Sequence, residues 1–228
     1  MPGLTTILPM RNASSTLPGT LARLEAARRS ALIQEIVAVD GGSTDGSHAL
    51  AVSHGVRVIT TAPGRGRQLA AGAAIAESDW LLFLHADTRL GPGWEQAVTA
   101  FTNRPDATAK AAVFRLAFDA DSRAARRTAA LANGRTRVLG LPYGDQGLLM
   151  ARSFYERLGG FDDIPLMEDV ALVRRIGRKR LTVLDAEAIT SAEKYRRDGW
   201  VLRPLRNLSI LSLYFAGVPP HRLKRLYG

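Results

Sequence analysis

Glu35-Ile36-Val37-Ala38-Val39-Asp40-Gly41-Gly42-Ser43-Thr44-Asp45 joins a short β-rich apolar run to a carboxylate, two glycines and a group of small polar residues. The run reads as a buried strand. Gly41 and Gly42 let the backbone turn sharply, and Ser43 or Asp45 caps the helix that follows. Leu4 to Leu8, Val56 to Thr60, Trp80 to Leu84 and Ala112 to Phe118 read as further strands, separated by amphipathic segments at Thr16 to Arg29, Asp45 to His54 and Gln68 to Ala76. This alternation predicts an α/β fold: a mostly parallel central sheet flanked by helices, Rossmann-like in layout.

Sheets of that kind bind ligands outside the carboxyl ends of their strands. The polar residues concentrate there. Strand one runs into Pro9-Met10-Arg11-Asn12, strand two into Asp40, strand three leads to Gly64-Arg65-Gly66-Arg67-Gln68, and strand four ends in His85-Ala86-Asp87-Thr88. Asp87 suits a hard divalent cation, because Mg²⁺ takes one or two protein carboxylates and lets substrate phosphates fill the rest; capping the next turn is the alternative. Asp40 suits a nucleobase N–H as acceptor. Arg65 and Arg67 suit bidentate contact with a diphosphate, or serve as solvated loop charges.

Beyond residue 118 the pattern loosens into an Arg-rich helix over Asp121 to Val138, a loop at Pro142-Tyr143-Gly144-Asp145-Gln146, and a strand and helix leading to Gly159-Gly160-Phe161-Asp162. Pro165-Leu166-Met167-Glu168-Asp169 opens a helix to Arg178. Acidic residues in a first turn complement the helix dipole, so stability alone accounts for Glu168 and Asp169 as readily as chemistry does.

The 228 residues are 46% hydrophobic and 23% charged, which excludes intrinsic disorder. The net charge of +10 is uneven: residues 1–110 hold ten basic and nine acidic side chains, and residues 111–228 hold twenty-one and twelve. An anionic partner is expected. With no cysteine and four histidines, disulfide scaffolds, thiol catalysis and Cys-ligated metals are excluded and an all-His metal site is not expected. No G-x-x-x-x-G-K-[ST] loop is present, Gly64-Arg65-Gly66 lacks the third glycine of a dinucleotide fingerprint, and Ser43 is not on a G-x-S-x-G elbow. Low aromatic content and the lack of zinc spacing or a helix-turn-helix argue against nucleic acid. The start, Met1-Pro2-Gly3-Leu4, lacks a signal-peptide pattern, and Trp200 to Gly217 is interrupted by Arg203, Pro204, Arg206 and Asn207, so no spanning helix and a cytoplasmic location are expected.

In their order, Ile7-Leu8-Pro9, Val39-Asp40-Gly41-Gly42-Ser43-Thr44-Asp45-Gly46, Gly64-Arg65-Gly66-Arg67-Gln68, Phe83-Leu84-His85-Ala86-Asp87-Thr88, Gly144-Asp145-Gln146-Gly147 and Met167-Glu168-Asp169 carry a likeness. The chain resembles family 2 inverting glycosyltransferases of the GT-A fold over about residues 4–190. The resemblance implies a nucleoside-diphosphate-sugar donor, UDP-linked, and a divalent cation, Mg²⁺ or Mn²⁺. It places Pro9, Asn12, Asp40, Gly42, Arg65, Arg67, Gln68, His85 and Ala86 around the nucleotide, with Asp40 at uracil and the arginines near the diphosphate. Asp87 matches the last Asp of the family's D-x-D metal motif. Asp169 matches the catalytic base, with Glu168 orienting it or the acceptor, and Tyr143, Asp145 and Gln146 face donor sugar or acceptor. One departure stands out: the first D of D-x-D is His85, whose imidazole can ligate a softer metal, hydrogen-bond the donor, or bond to backbone in a turn. That departure supports a second reading, a non-catalytic nucleotide-sugar-binding or membrane-adaptor protein of the same fold.

Residues 191–228 form a basic amphipathic appendage to a 1–190 domain. Lys194, Arg196, Arg197, Arg203, Arg206, Arg222, Lys224 and Arg225 alternate with Trp200, Leu202, Leu205, Leu208 and Phe215. Two roles are expected of it: an apolar stripe packed on the domain or on a second subunit in a homodimer, or an interfacial helix on anionic lipid that makes the protein peripheral at the inner membrane face. The charge of the second half points towards an anionic or lipid-linked hydroxyl acceptor, or a lipid surface.

Overall fold

A computed structural model describes residues 3–227; Met1 and Pro2, read above for a targeting signal, and Gly228 lie outside the described residues. Along the chain come β1 (Leu4–Met10), α1 (Leu17–Arg29), β2 (Ile33–Asp40), α2 (Ser47–Ser53), β3 (Arg57–Thr60), α3 (Arg65–Ile75), β4 (Trp80–Phe83), β5 (Thr88–Leu90), α4 (Trp94–Thr102), β6 (Ala111–Phe118), α5 (Arg123–Leu139), β7 (Leu148–Ala151) and α6 (Arg152–Arg157). Then follow α7 (Glu168–Ile176), β8 (Leu181–Thr190), α8 (Glu193–Asp198), α9 (Leu202–Phe215) and α10 (Pro220–Tyr227).

The strands form one sheet in the order β3-β2-β1-β4-β7-β6-β8-β5. The first four are parallel, as the sequence predicts. Ile7, Leu8, Val37, Ala38, Val39, Leu81 and Leu82 are fully buried, so the apolar segments of β1, β2 and β4 are covered on both faces, while β3 at the sheet margin is partly exposed. α3 packs on β1 and β2, α1 on β2 and β5, α4 on β8 and α5 on β6.

The second half of the sheet departs from a purely parallel pattern. β7 is antiparallel to both β4 and β6, β6 is parallel to β8, and β8 is antiparallel to β5. β8 has no counterpart among the expected strands. Its pairing sets Thr190 against Thr88 and carries the following residues, from Ser191, to the end of β4 and the start of β5. α3 also begins earlier than expected, at Arg65, so both arginines stand on a helix and not on a flexible loop.

The C-terminal segment packs on the domain through one side only. Ile210, Leu211 and Leu223 are buried against Met167 and Val170 at the start of α7, with Tyr143, Leu166 and Tyr227 around them. Full burial of such side chains contributes about 1.5–3 kcal/mol each. The opposite side of α9 exposes Leu202, Leu205, Leu208 and Phe215. No helix among the described residues is long and apolar enough to cross a membrane.

Candidate active site

Four backbone and side-chain contacts pin the turn after β4. Thr20 Oγ1 donates to the Ala86 carbonyl (3.0 Å), the Thr88 amide to the His85 carbonyl (3.1 Å), the Ser191 amide to the Asp87 carbonyl (3.2 Å), and Thr88 Oγ1 to Thr190 Oγ1 (3.3 Å). His85 and Asp87 are thereby fixed at the sheet edge by α1 and β8. Burial, reinforced by the Arg65 charge, pushes the His85 imidazole down to about 4, so it is neutral at physiological pH. Asp87 is held below the usual carboxylate range: burial opposes this, and the positive charges of Lys194 and Arg65 act against it. Lys194 Nζ lies 3.6 Å from Asp87 Oδ2.

The start of α7 supplies the second half of the site. Met167 sits at φ 68°, a left-handed conformation uncommon for a side chain of its size, and it turns the chain into the helix. Asp169 follows with each carboxylate oxygen holding one backbone donor: Oδ1 accepts from the Val170 amide and Oδ2 from the Gly144 amide, both at 2.8 Å. Glu168 is 2% exposed and faces Arg65 Nε at 3.4 Å. Burial disfavours the Arg65 charge, yet Glu168, Asp169 and Asp87 together hold its pKa up. The approach of α3 to this segment depends on Gly66, where a Cβ would stand 2.2 Å from the Asp162 carbonyl oxygen.

Tyr143, Gly144 and Asp145 close the site from a third side. A Cβ on Gly144 would lie 2.7 Å from His85 Nε2 and 3.5 Å from Asp169 Oδ2, so three segments meet at this glycine. Asp145 Oδ1 is buried without a hydrogen-bond partner, and burial raises its pKa to about 6, against the pull of Arg135. Tyr143 is covered by the Arg135 guanidinium, 3.6 Å from the ring centre. Gln146 corrects an expectation. Fully buried, it bonds to Thr136 Oγ1 (2.7 Å) and the Phe114 carbonyl (3.0 Å), so it holds α5 to β6 and does not face a sugar.

On the opposite side, Pro9, Asn12, Arg65, Gln68, His85, Ala86 and Asp87 line a cleft of about 320 Å³ along the ends of β1 and β4. Three of the expected nucleotide residues have a part in the scaffold, Gln68 while also lining the cleft. Gln68 donates to the carbonyls of Met10 (2.9 Å) and Val39 (2.7 Å), tying β1 to β2. Asp40 Oδ1 accepts from Ser43 N (2.9 Å) and Ser43 Oγ (2.7 Å), and Oδ2 meets His48 Nδ1 at 3.3 Å; Asp40 and Gly42, which turns at φ 83°, stand outside this cleft. Arg67 corrects a further expectation: it is bound to Asp163 on the surface (2.7 Å), so of the two arginines only Arg65 enters the site. Residues i and i+2 of a helix do not share a face.

A second cavity, of about 140 Å³, lies beyond Asp87 and shares Arg65, His85, Asp87, Ser191 and Lys194 with the first. Its inner wall is Tyr143, Asp145, Glu168 and Asp169. Its outer wall is built by the C-terminal segment, from Tyr195, Arg203, Asn207 and Tyr227. Sequence reasoning missed these last residues as site residues. Only the basic and aromatic character of the tail was visible in the sequence.

Among the described residues no three His, Asp or Glu side chains converge as a metal set. The donors present fit a cation that is shared with a substrate. Asp87 Oδ1 has only a 3.5 Å contact from Thr88 Oγ1, and the neighbouring imidazole is uncharged. A diphosphate would supply the remaining oxygens.

A family model described as glycosyl transferase family 2 matches residues 5–159. Among solved structures, glucosyl-3-phosphoglycerate synthase from Mycobacterium tuberculosis, in complex with Mn²⁺, UDP and glucosyl-3-phosphoglycerate, superposes with a TM-score of 0.60 at 17% identity, covering 83% of this chain and 70% of that one. GalNAc-T7 with UDP, GalNAc and Mn²⁺ gives a TM-score of 0.63 at 15% identity, covering 84% of this chain and 44% of that one. At these identities the likeness is one of fold, and the fold is GT-A.

Proposed function

This chain belongs to glycosyl transferase family 2, and from that premise we propose that it moves a sugar from a UDP-linked donor to a hydroxyl acceptor with inversion at the anomeric carbon. The observation that carries the reading is the junction of two cavities at His85, Asp87 and Arg65, with Asp169 on the far side from the nucleotide cleft. Donor and acceptor would meet at that junction.

In the proposed reaction Asp169 takes the proton of the acceptor hydroxyl. The acceptor oxygen bonds to the anomeric carbon as the bond from that carbon to the diphosphate breaks on the opposite face, and the nucleoside diphosphate leaves with the electron pair. The amides of Gly144 and Val170 fix the carboxylate's orientation, which sets the geometry of proton transfer. Arg65, locked by Glu168, presents positive charge to the leaving group. Both named neighbours hold UDP and Mn²⁺, which supports UDP and a divalent ion here. Asp87 would hold that ion, which supplies further charge to offset the departing diphosphate.

Thermal-shift titration with UDP-, GDP- and dTDP-sugars in Mg²⁺ or Mn²⁺ tests the donor. A shift selective for UDP-sugars is expected; a larger shift with GDP- or dTDP-sugars contradicts the base assignment.

The exposed side of α9 supports a peripheral seat on an anionic bilayer. Leu202, Leu205, Leu208 and Phe215 form an apolar surface on a segment with eight basic and two acidic side chains. A second copy would oppose like charge to like, whereas anionic headgroups complement it. Sedimentation with phosphatidylglycerol vesicles is expected to carry the protein down, and Leu205→Ser with Leu208→Ser to release it. Equal partitioning of both proteins, or a dimer by light scattering, contradicts this.

A further inference from the structure

The cavity behind Asp169 differs in chemistry from the protein's basic surface, and the difference concerns what it admits. Each cation in its lining faces a carboxylate. Arg65 faces Glu168 at 3.4 Å, Lys194 faces Asp87 at 3.6 Å, and Arg203 is bound to Asp198. Two carboxylates remain. Asp145 Oδ1 is buried with no donor, and Asp169 has only its two backbone amides. A buried acceptor without a donor is costly, so the wall calls for hydrogen-bond donors from a ligand.

An anionic group would meet two carboxylates here, while Lys194 and Arg203 each face a carboxylate and Arg65 is committed to Glu168 and the leaving diphosphate. A hydroxyl-bearing neutral molecule meets both. At about 140 Å³ the space falls below the roughly 300–1,000 Å³ usual for drug-sized ligands, which suits one ring or a short polyol. The tail sets that size, because Tyr195, Asn207 and Tyr227 form the wall opposite Asp145. Tyr227 Oη donates to Asn207 Oδ1 at 3.2 Å, and Tyr195 stacks on Trp200 with ring centres 5.1 Å apart, so the wall is braced.

We propose that this cavity is an acceptor site for a small uncharged polyol, completed by the C-terminal helices, in which Asp145 binds a hydroxyl adjacent to the one presented to Asp169. The proposal rests on the glycosyl-transfer reading above and narrows its acceptor. The positive charge of the second half then serves the outer surface and not the acceptor.

Saturation-transfer NMR on the full chain, with UDP and Mg²⁺ present, tests it. The probes are methyl glucoside and glycerol, set against glucose 6-phosphate and glycerol 3-phosphate. The neutral probes are expected to bind, and the phosphorylated ones to bind more weakly. Asp145→Asn and, as a variant outside the carboxylate wall, Asn207→Ala are each expected to weaken the neutral probes about tenfold or more while UDP affinity is kept. Preference for the phosphorylated probes, or neutral binding unaffected by both variants, overturns the proposal. No UDP binding by the unmodified chain instead overturns the donor reading, which separates the two failures.

Discussion

The Gly144 amide donates to Asp169 Oδ2 at 2.8 Å across a gap that no side chain can enter. A Cβ on residue 144 would reach to 2.7 Å from His85 Nε2. This contact orients the proposed base. Gly144→Ala must therefore displace either His85 or the Asp169 partner. Turnover is expected to fall on the order of 100-fold, with a stability loss of about 1–3 kcal/mol. Steady-state kinetics beside a urea titration checks both, and unchanged kcat would show that the contact has no role in catalysis.

Arg65 and Arg67 give a contrast within one helical turn. Arg65→Met leaves Glu168, which is 2% exposed, without its counter-charge, and should cost about 3–5 kcal/mol along with UDP affinity. Arg67→Ala removes an exposed, solvent-screened pair with Asp163 and should leave the denaturant midpoint and UDP affinity close to those of the parent. Denaturant midpoints and UDP calorimetry on both variants separate them. Equal effects would contradict the assignment of Arg65 to the diphosphate side.

Asp145 predicts a pH signature. Burial raises its pKa to about 6 from the usual 3.8, with Asp169 and Asp87 adding to the rise and Arg135 and Arg65 opposing it. The native state then binds more protons than the unfolded state between about pH 4 and pH 6. This contribution is fully present below pH 4 and lost as pH rises through 6. Asp145→Asn lacks the dependence. Its stability relative to the parent should rise by at most about 3 kcal/mol between pH 4 and pH 8, measured by urea unfolding at each pH. A pH-independent difference would contradict the burial of that carboxylate.

Asp87 and the diphosphate are expected to share a divalent ion. EDTA, or Asp87→Asn, should therefore lower UDP affinity in calorimetry and leave uridine, which has no phosphate, unaffected. UDP affinity indifferent to both treatments would remove Asp87 from that role.

β1, β2 and β4 were legible because their apolar segments are buried on both faces, and β3, partly exposed, through its short β-rich run. β8 carried a subtler signal. Leu184, Ala186, Ala188 and Thr190 are buried in alternation with the exposed Asp185 and Glu187, the period-two pattern of a strand, but without the continuous apolar run that marked β1, β2 and β4. Missing β8 hid the tail's part in the site, since its pairing of Thr190 with Thr88 is what brings Ser191, Lys194 and Tyr195 to Asp87 across about a hundred residues of chain. Among the candidate residues, His85, Asp87 and the Glu168-Asp169 pair converge, as their positions at strand and helix ends suggested. Gln146 misled for a physical reason: a buried amide beside a site satisfies backbone carbonyls as readily as it binds a ligand. Arg67 misled because a helix start three residues earlier than expected turns it away from Arg65.

The most direct test of the account is Asp169→Asn, assayed for sugar transfer with a polyol acceptor and for UDP binding by calorimetry. The variant keeps the shape of the side chain and cannot take a proton. The account predicts kcat lowered about 10²–10⁴-fold with UDP affinity within about threefold of the parent. Turnover undiminished in Asp169→Asn would contradict it.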